Sequence, residues 1–238
     1  MLRRSASTIS TLLQLPNIVL TRSGRSALLL ALQQLGTQPG DRVLVPAYHC
    51  PTMIAPVERL AAVPLFYPIT LGGGPDMDFL NALDGRAVRA ILVAHLFGLP
   101  ISLTEVRAFC SERGIGLIED CAHCFFGAAD GISVGAVGDF AIDSLPKFPP
   151  VIEGGLLGSA SRQINIQPLQ SSTLKQEFRA AWDILDMSSR VRGLGLLGVV
   201  IRKIVQLRKL IGRSPSEAIL STLPDNPEAL RQASLADP

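Results

Sequence analysis

The stretch Phe140-Ala-Ile-Asp-Ser-Leu-Pro-Lys-Phe-Pro-Pro-Val-Ile-Glu-Gly-Gly155 joins a predicted buried strand to a single lysine. The strand, predicted over 139–145, ends at Pro146, because proline cannot donate to a strand ladder and restricts the residue before it. Lys147 therefore follows a strand end, where Phe148 and the next two prolines are expected to enclose it. Apolar surroundings favour the neutral, nucleophilic amine. A lysine in a solvated surface loop is the alternative.

Around this stretch, from 22 to 160, short apolar runs alternate with helical periodicity. Strands are predicted at 42–46, 63–69, 89–95, 115–119, 139–145 and 155–158, and helices at 26–35, 51–62, 77–83 and 103–113. This alternation predicts a three-layer α/β/α fold, a mainly parallel sheet with helices on both faces. In such sheets the functional residues lie at the carboxyl ends of the strands.

Four segments are predicted along the chain: an N-terminal segment (1–20), a large domain (21–165), a helical extension (166–213), and a linker or the start of a small domain (214–238). In the extension, helices are expected at 173–187 and 194–211. Between residues 190 and 213 there are seven basic residues and no acidic one. The basic face of the second helix lies either in water or against a membrane surface or a nucleotide sugar.

The composition limits the classes of partner and location. The chain of 238 residues is 47% hydrophobic and 5% aromatic, with a net charge of +2. So few aromatic residues provide little surface on which nucleic-acid bases could stack, and nucleic acid is therefore not an expected partner. Four cysteines do not make a dense disulfide scaffold, and no apolar run reaches the ~20 residues needed to cross a bilayer. A cytoplasmic location is expected.

Two stretches near the amino terminus are suited to binding a ligand. Ser23-Gly-Arg-Ser26 precedes and opens the helix 26–35, where exposed amides and the helix dipole bind phosphate; a plain serine cap is the alternative. Tyr48 and His49 follow the strand 42–46, and either ring can lie flat against a planar ligand. A buried aromatic residue beside a satisfied histidine is the alternative there.

Asp120 and His123 follow the apolar strand 115–119. A buried carboxylate needs a partner, and a protonated pyridine nitrogen meets that need for Asp120 while the ring acts as an electron sink. His123 then reaches the phenolic oxygen of the ring; an N-cap role or an arginine partner is the alternative for Asp120. The glycines of Glu153-Gly-Gly155 permit close backbone approach. With Lys147 as the amine, these groups are the parts of a pyridoxal-phosphate site.

Six collinear stretches over about 20–160 resemble the DegT/DnrJ/EryC1/StrS sugar aminotransferases, which have the type I fold of pyridoxal-phosphate enzymes. They are Ser23-Gly-Arg-Ser-Ala-Leu28, Pro39-Gly-Asp-Arg-Val-Leu-Val-Pro46, Val93-Ala-His-Leu-Phe-Gly98, Ile118-Glu-Asp-Cys-Ala-His123, Val134-Gly-Ala-Val-Gly-Asp139, and Ser144-Leu-Pro-Lys147 with Glu153-Gly-Gly155. The resemblance implies that the predicted large domain binds pyridoxal phosphate and is followed by C-terminal helices.

The resemblance also implies roles for single residues. Lys147 bonds to the cofactor and shuttles the proton, and Asp120 pairs with the ring nitrogen. Ser144 helps to hold the phosphate with the amides of Gly24 and Arg25.

At position 123 the family usually has glutamine or histidine, so His123 fits the pattern. Two other positions are ambiguous within the pattern or depart from it. Tyr48, His49 or the Cys50 position stacks on the ring. Pro146 precedes the lysine, whereas the family reads Ser-Phe-x-Pro-Thr-Lys or Ser-Leu-Arg-Lys.

The function that the resemblance implies is transfer of an amino group from an amino acid, glutamate, to a keto-sugar nucleotide. The small-molecule substrates would meet in a homodimer, each site being built partly from the partner chain. The sequence ends at Pro238, and the chain is therefore expected to lack the family's small C-terminal domain. A truncated, non-catalytic paralogue that keeps the fold and the dimer surface is therefore the alternative.

Two further motifs suggest other chemistry. Gly193-Leu-Gly-Leu-Leu-Gly198 matches a dinucleotide fingerprint, but no strand precedes it and no suitable acidic residue follows. Cys121-Ala-His-Cys124, with His49 or His95, suggests zinc binding or redox chemistry, but a second pair at metal spacing is absent. Neither a dinucleotide nor a metal is expected.

Overall fold

A computed structural model describes residues 10–84, 88–149, 151–165, 173–190 and 203. The chain divides into two compact units, Met1–Gln170 and Ser171–Pro238. The sheet and the cavities described below all lie in the first unit.

A seven-stranded, mainly parallel sheet forms the centre of the first unit. The strands in chain order are β1 (Asn17–Thr21), β2 (Arg42–Pro46), β3 (Val63–Tyr67), β4 (Val88–Ala94), β5 (Gly116–Asp120), β6 (Ala128–Ala129), β7 (Ile132–Ser133), β8 (Phe140–Asp143) and β9 (Gly155–Ser159). β6 and β7 pair with each other, and the rest form the sheet in the order β1-β9-β8-β5-β4-β2-β3. β9 runs antiparallel to both of its neighbours, and the other adjacent pairs are parallel.

Helices cover both faces of the sheet. On one face α1 (Gly24–Gln34) and α2 (Ile54–Arg59) bury apolar side chains against β2, β4, β5, β8 and β9. On the other face α3 (Met77–Ala82) and α4 (Thr104–Arg113) pack on β2 to β5. The inner strands are buried on both faces, which explains their continuous apolar runs. The predicted three-layer α/β/α fold is thus confirmed.

Helix ends follow the signals in the sequence. Ser23 caps α1, and Gly114 ends α4 in the left-handed conformation with φ 67°. The helix predicted over 51–62 is shorter than expected, a 3₁₀ turn (Pro51–Met53) followed by α2. It ends early because Ala61 adopts φ 52° and the following amide returns to the Val57 carbonyl at 3.2 Å.

One acidic side chain, Asp139, connects neighbouring segments at the amino ends of the strands. Asp139, just before β8, accepts hydrogen bonds from the Leu117 amide at 2.8 Å and from Arg107 at 3.1 Å. Arg162 contacts its other oxygen at 2.8 Å. Burial alone would raise the pKa of Asp139, but the Leu117 amide and the Arg107 guanidinium outweigh it and lower this pKa below its ordinary value.

In the second unit the structure describes α5 (Leu174–Arg190), where a helix was predicted over 173–187. The predicted helix 194–211 lies outside the described residues apart from residue 203, and the glycine motif 193–198 lies wholly outside them. Across the described residues, no helix combines the length and the apolar character that a membrane span requires. The boundaries of the four predicted segments stay predictions.

Candidate active site

The loops that follow β1, β2, β4, β5 and β8 meet around one cavity of about 510 Å³. This volume lies in the range of small-molecule sites, about 300–1,000 Å³. All nine residues selected from the sequence line it: Ser23, Gly24, Arg25, Tyr48, His49, Asp120, His123, Ser144 and Lys147. They converge because the carboxyl ends of parallel strands share one edge of the sheet.

The turn Ser23–Ser26, here called the helix-start turn, contributes Ser23, Gly24 and Arg25 to the cavity lining. The Ser23 hydroxyl accepts a hydrogen bond from the Ser26 amide at 3.2 Å, so it acts as the N-cap. The amides of Gly24 and Arg25 belong to the first turn of α1, where backbone donors have no helical partner. The turn therefore offers amides and the positive end of the helix dipole to an anion.

Two glycines let the backbone close tightly around this turn. A Cβ added at Gly155 would lie 2.6 Å from the Gly24 nitrogen and would overlap the Ser23 carbonyl. One added at Gly24 would meet the Asp143 carbonyl oxygen at 3.2 Å and the Ser144 Cβ at 3.3 Å. The close approach expected at Glu153-Gly-Gly155 is therefore present, and it requires a residue without a Cβ at position 155.

Asp120 ends β5 and is 6% exposed. Its Oδ1 accepts a hydrogen bond from the Ala122 amide at 2.9 Å, and no donor to Oδ2 is found in the described part of the chain. Burial raises the pKa of Asp120, and Lys147 and His123 counter this only in part. A cation that entered the cavity would stabilise the ionised carboxylate, so Asp120 fits a protonated ring nitrogen.

Lys147 closes a 3₁₀ turn (Leu145–Lys147) directly after β8, at the strand end where it was expected. The expected apolar enclosure is wrong, because Lys147 is exposed and Phe148 is itself 36% exposed. Phe148 packs instead against Phe125 at 5.4 Å between ring centroids. The amine therefore borders an open cavity, and a ligand in that cavity would have to supply the enclosure.

The two rings after β2 are placed differently. His49 stacks on Phe66, with 5.0 Å between ring centroids, and its Nδ1 donates to the Pro46 carbonyl at 2.9 Å. Tyr48 is 57% exposed at the cavity wall, 6.1 Å from the ring of Phe97. His49 is thus already stacked and hydrogen-bonded, whereas the ring of Tyr48 is available to a ligand.

A buried pair, His95 in the cavity lining and Glu119 next to it, was not selected from the sequence as part of the cofactor site. His95, 2% exposed, accepts the Ile101 amide at Nδ1 (3.2 Å) and therefore donates from Nε2 to Glu119 (3.0 Å). Glu119 also accepts the amides of Gly135, Val137 and Gly138 at 2.5–2.7 Å. The sequence feature that could have identified this pair is a glutamate, Glu119, inside the predicted apolar strand 115–119. This pair fixes the loop after β7 to the ends of β4 and β5.

The metal alternative does not fit these atoms. His95, Glu119 and Cys121 offer donor atoms within 4.8 Å of one another. Both oxygens of Glu119 already accept two hydrogen bonds each, and burial raises the pKa of Cys121 well above its ordinary value. Cys124 is also buried, and its thiol donates to the Phe126 carbonyl. A cation would have to displace these donors and two thiol protons.

A second, more open cavity of about 650 Å³ lies beside the first. Ser23, Arg25 and Ser144 line both cavities, but Lys147 and Asp120 line only the smaller one. The chemistry-bearing residues therefore single out the smaller cavity as the place for a cofactor.

This arrangement is that of the large domain of a fold type I pyridoxal-phosphate enzyme. The model of the DegT/DnrJ/EryC1/StrS aminotransferase family matches residues 6–164, and the chain belongs to this family. Pyridoxal phosphate is the cofactor of the family.

Relatives in the family are named as sugar aminotransferases. A UDP-N-acetyl-3-dehydro-α-D-glucosamine 3-aminotransferase of Acidithiobacillus ferrooxidans is 32% identical over 60% of this chain and 40% of its own length. A dTDP-4-dehydro-2,3,6-trideoxy-D-glucose 4-aminotransferase of Saccharopolyspora spinosa is 28% identical over 81% of this chain and 54% of its own. Among solved structures, a DegT DnrJ EryC1 StrS aminotransferase from Brucella abortus is 25% identical with a TM-score of 0.57, over 62% of this chain and 42% of its own. The chain spans about a quarter to a half of the curated relatives it matches.

Proposed function

We propose that this chain binds pyridoxal phosphate in the 510 Å³ cavity and belongs to an enzyme that transfers an amino group to a sugar. The observation that carries the proposal is the convergence of nine residues, chosen for cofactor chemistry, on one cavity. Family membership supports it independently.

The residues present fit the cofactor. The helix-start turn and Ser144 would hold the phosphate, because they combine the backbone amides of a helix start with a hydroxyl group. Asp120 would hold the protonated ring nitrogen, and His123 would reach the phenolic oxygen. When bound, pyridoxal phosphate supplies an aldehyde that bonds to amines and a ring that takes up electrons.

Lys147 is the amine proposed to hold the cofactor and to move protons during the reaction. Lys147 lies in the turn after β8 and lines the same cavity as Asp120. Among the described residues, no other lysine lines this cavity. With the cofactor and a substrate bound, Nζ would be the group that takes a proton from the substrate carbon and returns it.

Tyr48 is proposed as the ring that stacks on the cofactor. Of the two rings weighed from the sequence, Tyr48 is exposed to the cavity, whereas His49 is stacked on Phe66. Stacking between aromatic rings adds about 0.5–1.5 kcal/mol beyond area burial.

The proposed acceptor is a keto-sugar nucleotide and the proposed donor is glutamate. Two relatives named above act on nucleotide-linked dehydro sugars, which supports the acceptor. A homodimer whose sites are completed by the partner chain is part of the same proposal. The cytoplasmic location stays a prediction.

The alternative is a paralogue that keeps the fold without turnover. Because the chain matches only about a quarter to a half of its curated relatives, fold and activity need separate tests. Cofactor binding tests the site, and turnover tests the enzyme.

The first experiment is reconstitution of the purified chain with pyridoxal phosphate. The wild type is expected to turn yellow and to hold its visible absorption band through gel filtration. Lys147→Ala is expected to lose the band, and Lys175→Ala, an exposed lysine of α5, to keep it. A wild type that cannot be reconstituted refutes the cofactor site.

The second experiment is turnover of a keto-sugar nucleotide with glutamate. Loss of the amino group from glutamate, with gain of an amino sugar, supports the enzyme. A yellow chain without turnover favours the non-catalytic paralogue.

A further inference from the structure

Asp143, the last residue of β8, is a buried carboxyl group with no evident partner. Its side chain is 0% exposed, and neither oxygen has a hydrogen-bond partner among the residues the structure describes. Buried polar groups in folded proteins are nearly always hydrogen-bonded, so this exception needs an explanation.

The surroundings of Asp143 are apolar. It lies opposite Leu156 in the ladder between β8 and β9, and strand alternation places it on the same face as Ala141. Both neighbours belong to one apolar cluster: Leu12, Leu15, Cys121, Cys124, Phe125, Val134, Ala141 and Leu156. The Ser144 amide interacts with the carboxyl group too weakly to make a hydrogen bond of ordinary geometry. An ionised carboxylate is costly in such surroundings.

Two charged groups act on Asp143, and a neutral thiol is a third titratable group near it. Asp120 ends the adjacent strand β5, where it pairs with Ile142, the residue before Asp143. Its charge opposes ionisation of Asp143, and that of Lys147 favours it. Lys147 is exposed, so solvent screens its contribution. Cys121 is fully buried, and burial raises its pKa well above the ordinary value, so it stays neutral.

The two carboxyl groups at these strand ends differ in what they face. Asp120 lines the cofactor cavity, where a cation can reach it, whereas Asp143 faces the apolar cluster. Two neighbouring carboxyl groups do not both ionise without cost, because each charge raises the free energy of the other. The charge therefore goes to Asp120.

We infer that Asp143 keeps its proton in the folded chain, so that Asp120 is the carboxyl group that carries the negative charge toward the cofactor ring. The inference rests on the proposed role of Asp120 in the cofactor site. Burial raises the pKa of Asp143 to about 7, so the proton leaves near neutrality and the device is sensitive to pH. Above that pH Asp143 also carries a negative charge, at the carboxyl end of β8.

The direct test is a pH titration of the aspartate side-chain carboxyl carbons by NMR on the cofactor-free chain. The Asp143 resonance is assigned by its absence from the spectrum of Asp143→Asn. We expect it to titrate near neutrality, far above the ordinary aspartate value of 3.8. A midpoint near 4 overturns the inference, whatever the chain does with cofactor.

A stability test uses the same variant without cofactor. The folded chain binds one proton more than the unfolded chain between the two pKa values, so this group lowers stability as pH rises from about 4 to about 7. Asp143→Asn lacks the group, and its urea midpoint should rise relative to the wild type over that range. Asp78→Asn, at an exposed aspartate of α3, should not change the pH dependence. Parallel curves for the wild type and Asp143→Asn overturn the inference.

Cofactor binding separates this inference from the proposed function. At pH 6, where Asp143 holds its proton, Asp143→Asn should bind pyridoxal phosphate within about twofold of the wild type, because asparagine is also neutral. A loss of tenfold or more at pH 6 shows that a charged Asp143 is needed and overturns the inference. A wild type that binds no cofactor refutes the proposed function and with it the role of Asp120 toward the cofactor ring, while the NMR titration still decides whether Asp143 holds the proton.

Discussion

Replacing Glu119 by glutamine should destabilise the fold more than its conservative chemistry suggests. The Glu119 side chain is fully buried, and it accepts four hydrogen bonds, three from backbone amides and one from His95. Glutamine keeps one acceptor oxygen and replaces the other with an NH₂ group. Whichever way the amide turns, two of the four donors then face another donor.

The magnitude follows from those two lost bonds. A hydrogen bond to a charged group contributes about 1.5–3 kcal/mol, and a buried donor left without a partner costs about 1–3 kcal/mol. Glutamine still satisfies the other two donors. We therefore expect a loss of about 3–5 kcal/mol, a large part of the 5–15 kcal/mol by which domains are usually stable.

Urea unfolding followed by circular dichroism measures this loss. Glu58→Gln, at an exposed glutamate of α2, is the matched control and should change stability by less than about 0.5 kcal/mol. Cofactor affinity should fall in parallel for Glu119→Gln, since Asp120 follows in the same strand. If Glu119→Gln unfolds within about 1 kcal/mol of the wild type, the buried network does not hold this edge of the sheet.

Three further changes test other parts of the fold and the site. Gly155→Ala places a methyl group against the backbone of the helix-start turn, so it should lower the free energy of unfolding by about 1–3 kcal/mol and weaken cofactor binding. The control Gly72→Ala should do neither, because its new Cβ meets no atom closer than 3.7 Å. Tyr48→Ala should weaken cofactor binding about three- to tenfold in absorbance titrations, and His49→Ala less, because the His49 ring already stacks on Phe66; the reverse order contradicts the proposed stacking role. The lowered pKa of Asp139 stabilises the fold above the unfolded value of 3.8, and this contribution disappears as pH falls below it, so Asp139→Asn should be less stable at pH 7 and lose less stability on acidification.

The parallel sheet and the edge that carries the site could be predicted from the sequence. The apolar runs that precede Tyr48, Asp120 and Lys147 were enough to predict where these residues meet. Parallel strands bring their carboxyl ends together even when about 100 residues separate them. The helix ends at Ser23 and Gly114 also follow from local chemistry. Residue type and spacing carried this information without any knowledge of long-range contacts.

What failed depended on packing between distant segments. β1 was not predicted, because its pattern is short and its partner, β9, lies far along the chain, with Asn17 opposite Ser159. The enclosure of Lys147 was wrong, because Phe148 packs on Phe125 and not around the amine. Glu119 was overlooked because its four donors come from His95, just after β4, and from the loop after β7, which no local pattern brings together.

The contact between Gly155 and the helix-start turn sets an order of events during synthesis. The ribosome synthesises the helix-start turn early, but β9, the strand that contacts it, ends only at residue 159. The pairing of β9 with β1 closes a loop of well over a hundred residues. A nascent chain released only as far as Lys147 holds every residue proposed to touch the cofactor, yet it lacks the backbone that shapes the phosphate end. Cofactor capture should therefore begin only once β9 has joined the sheet, and from then on the ligand would favour the completed fold over its precursors.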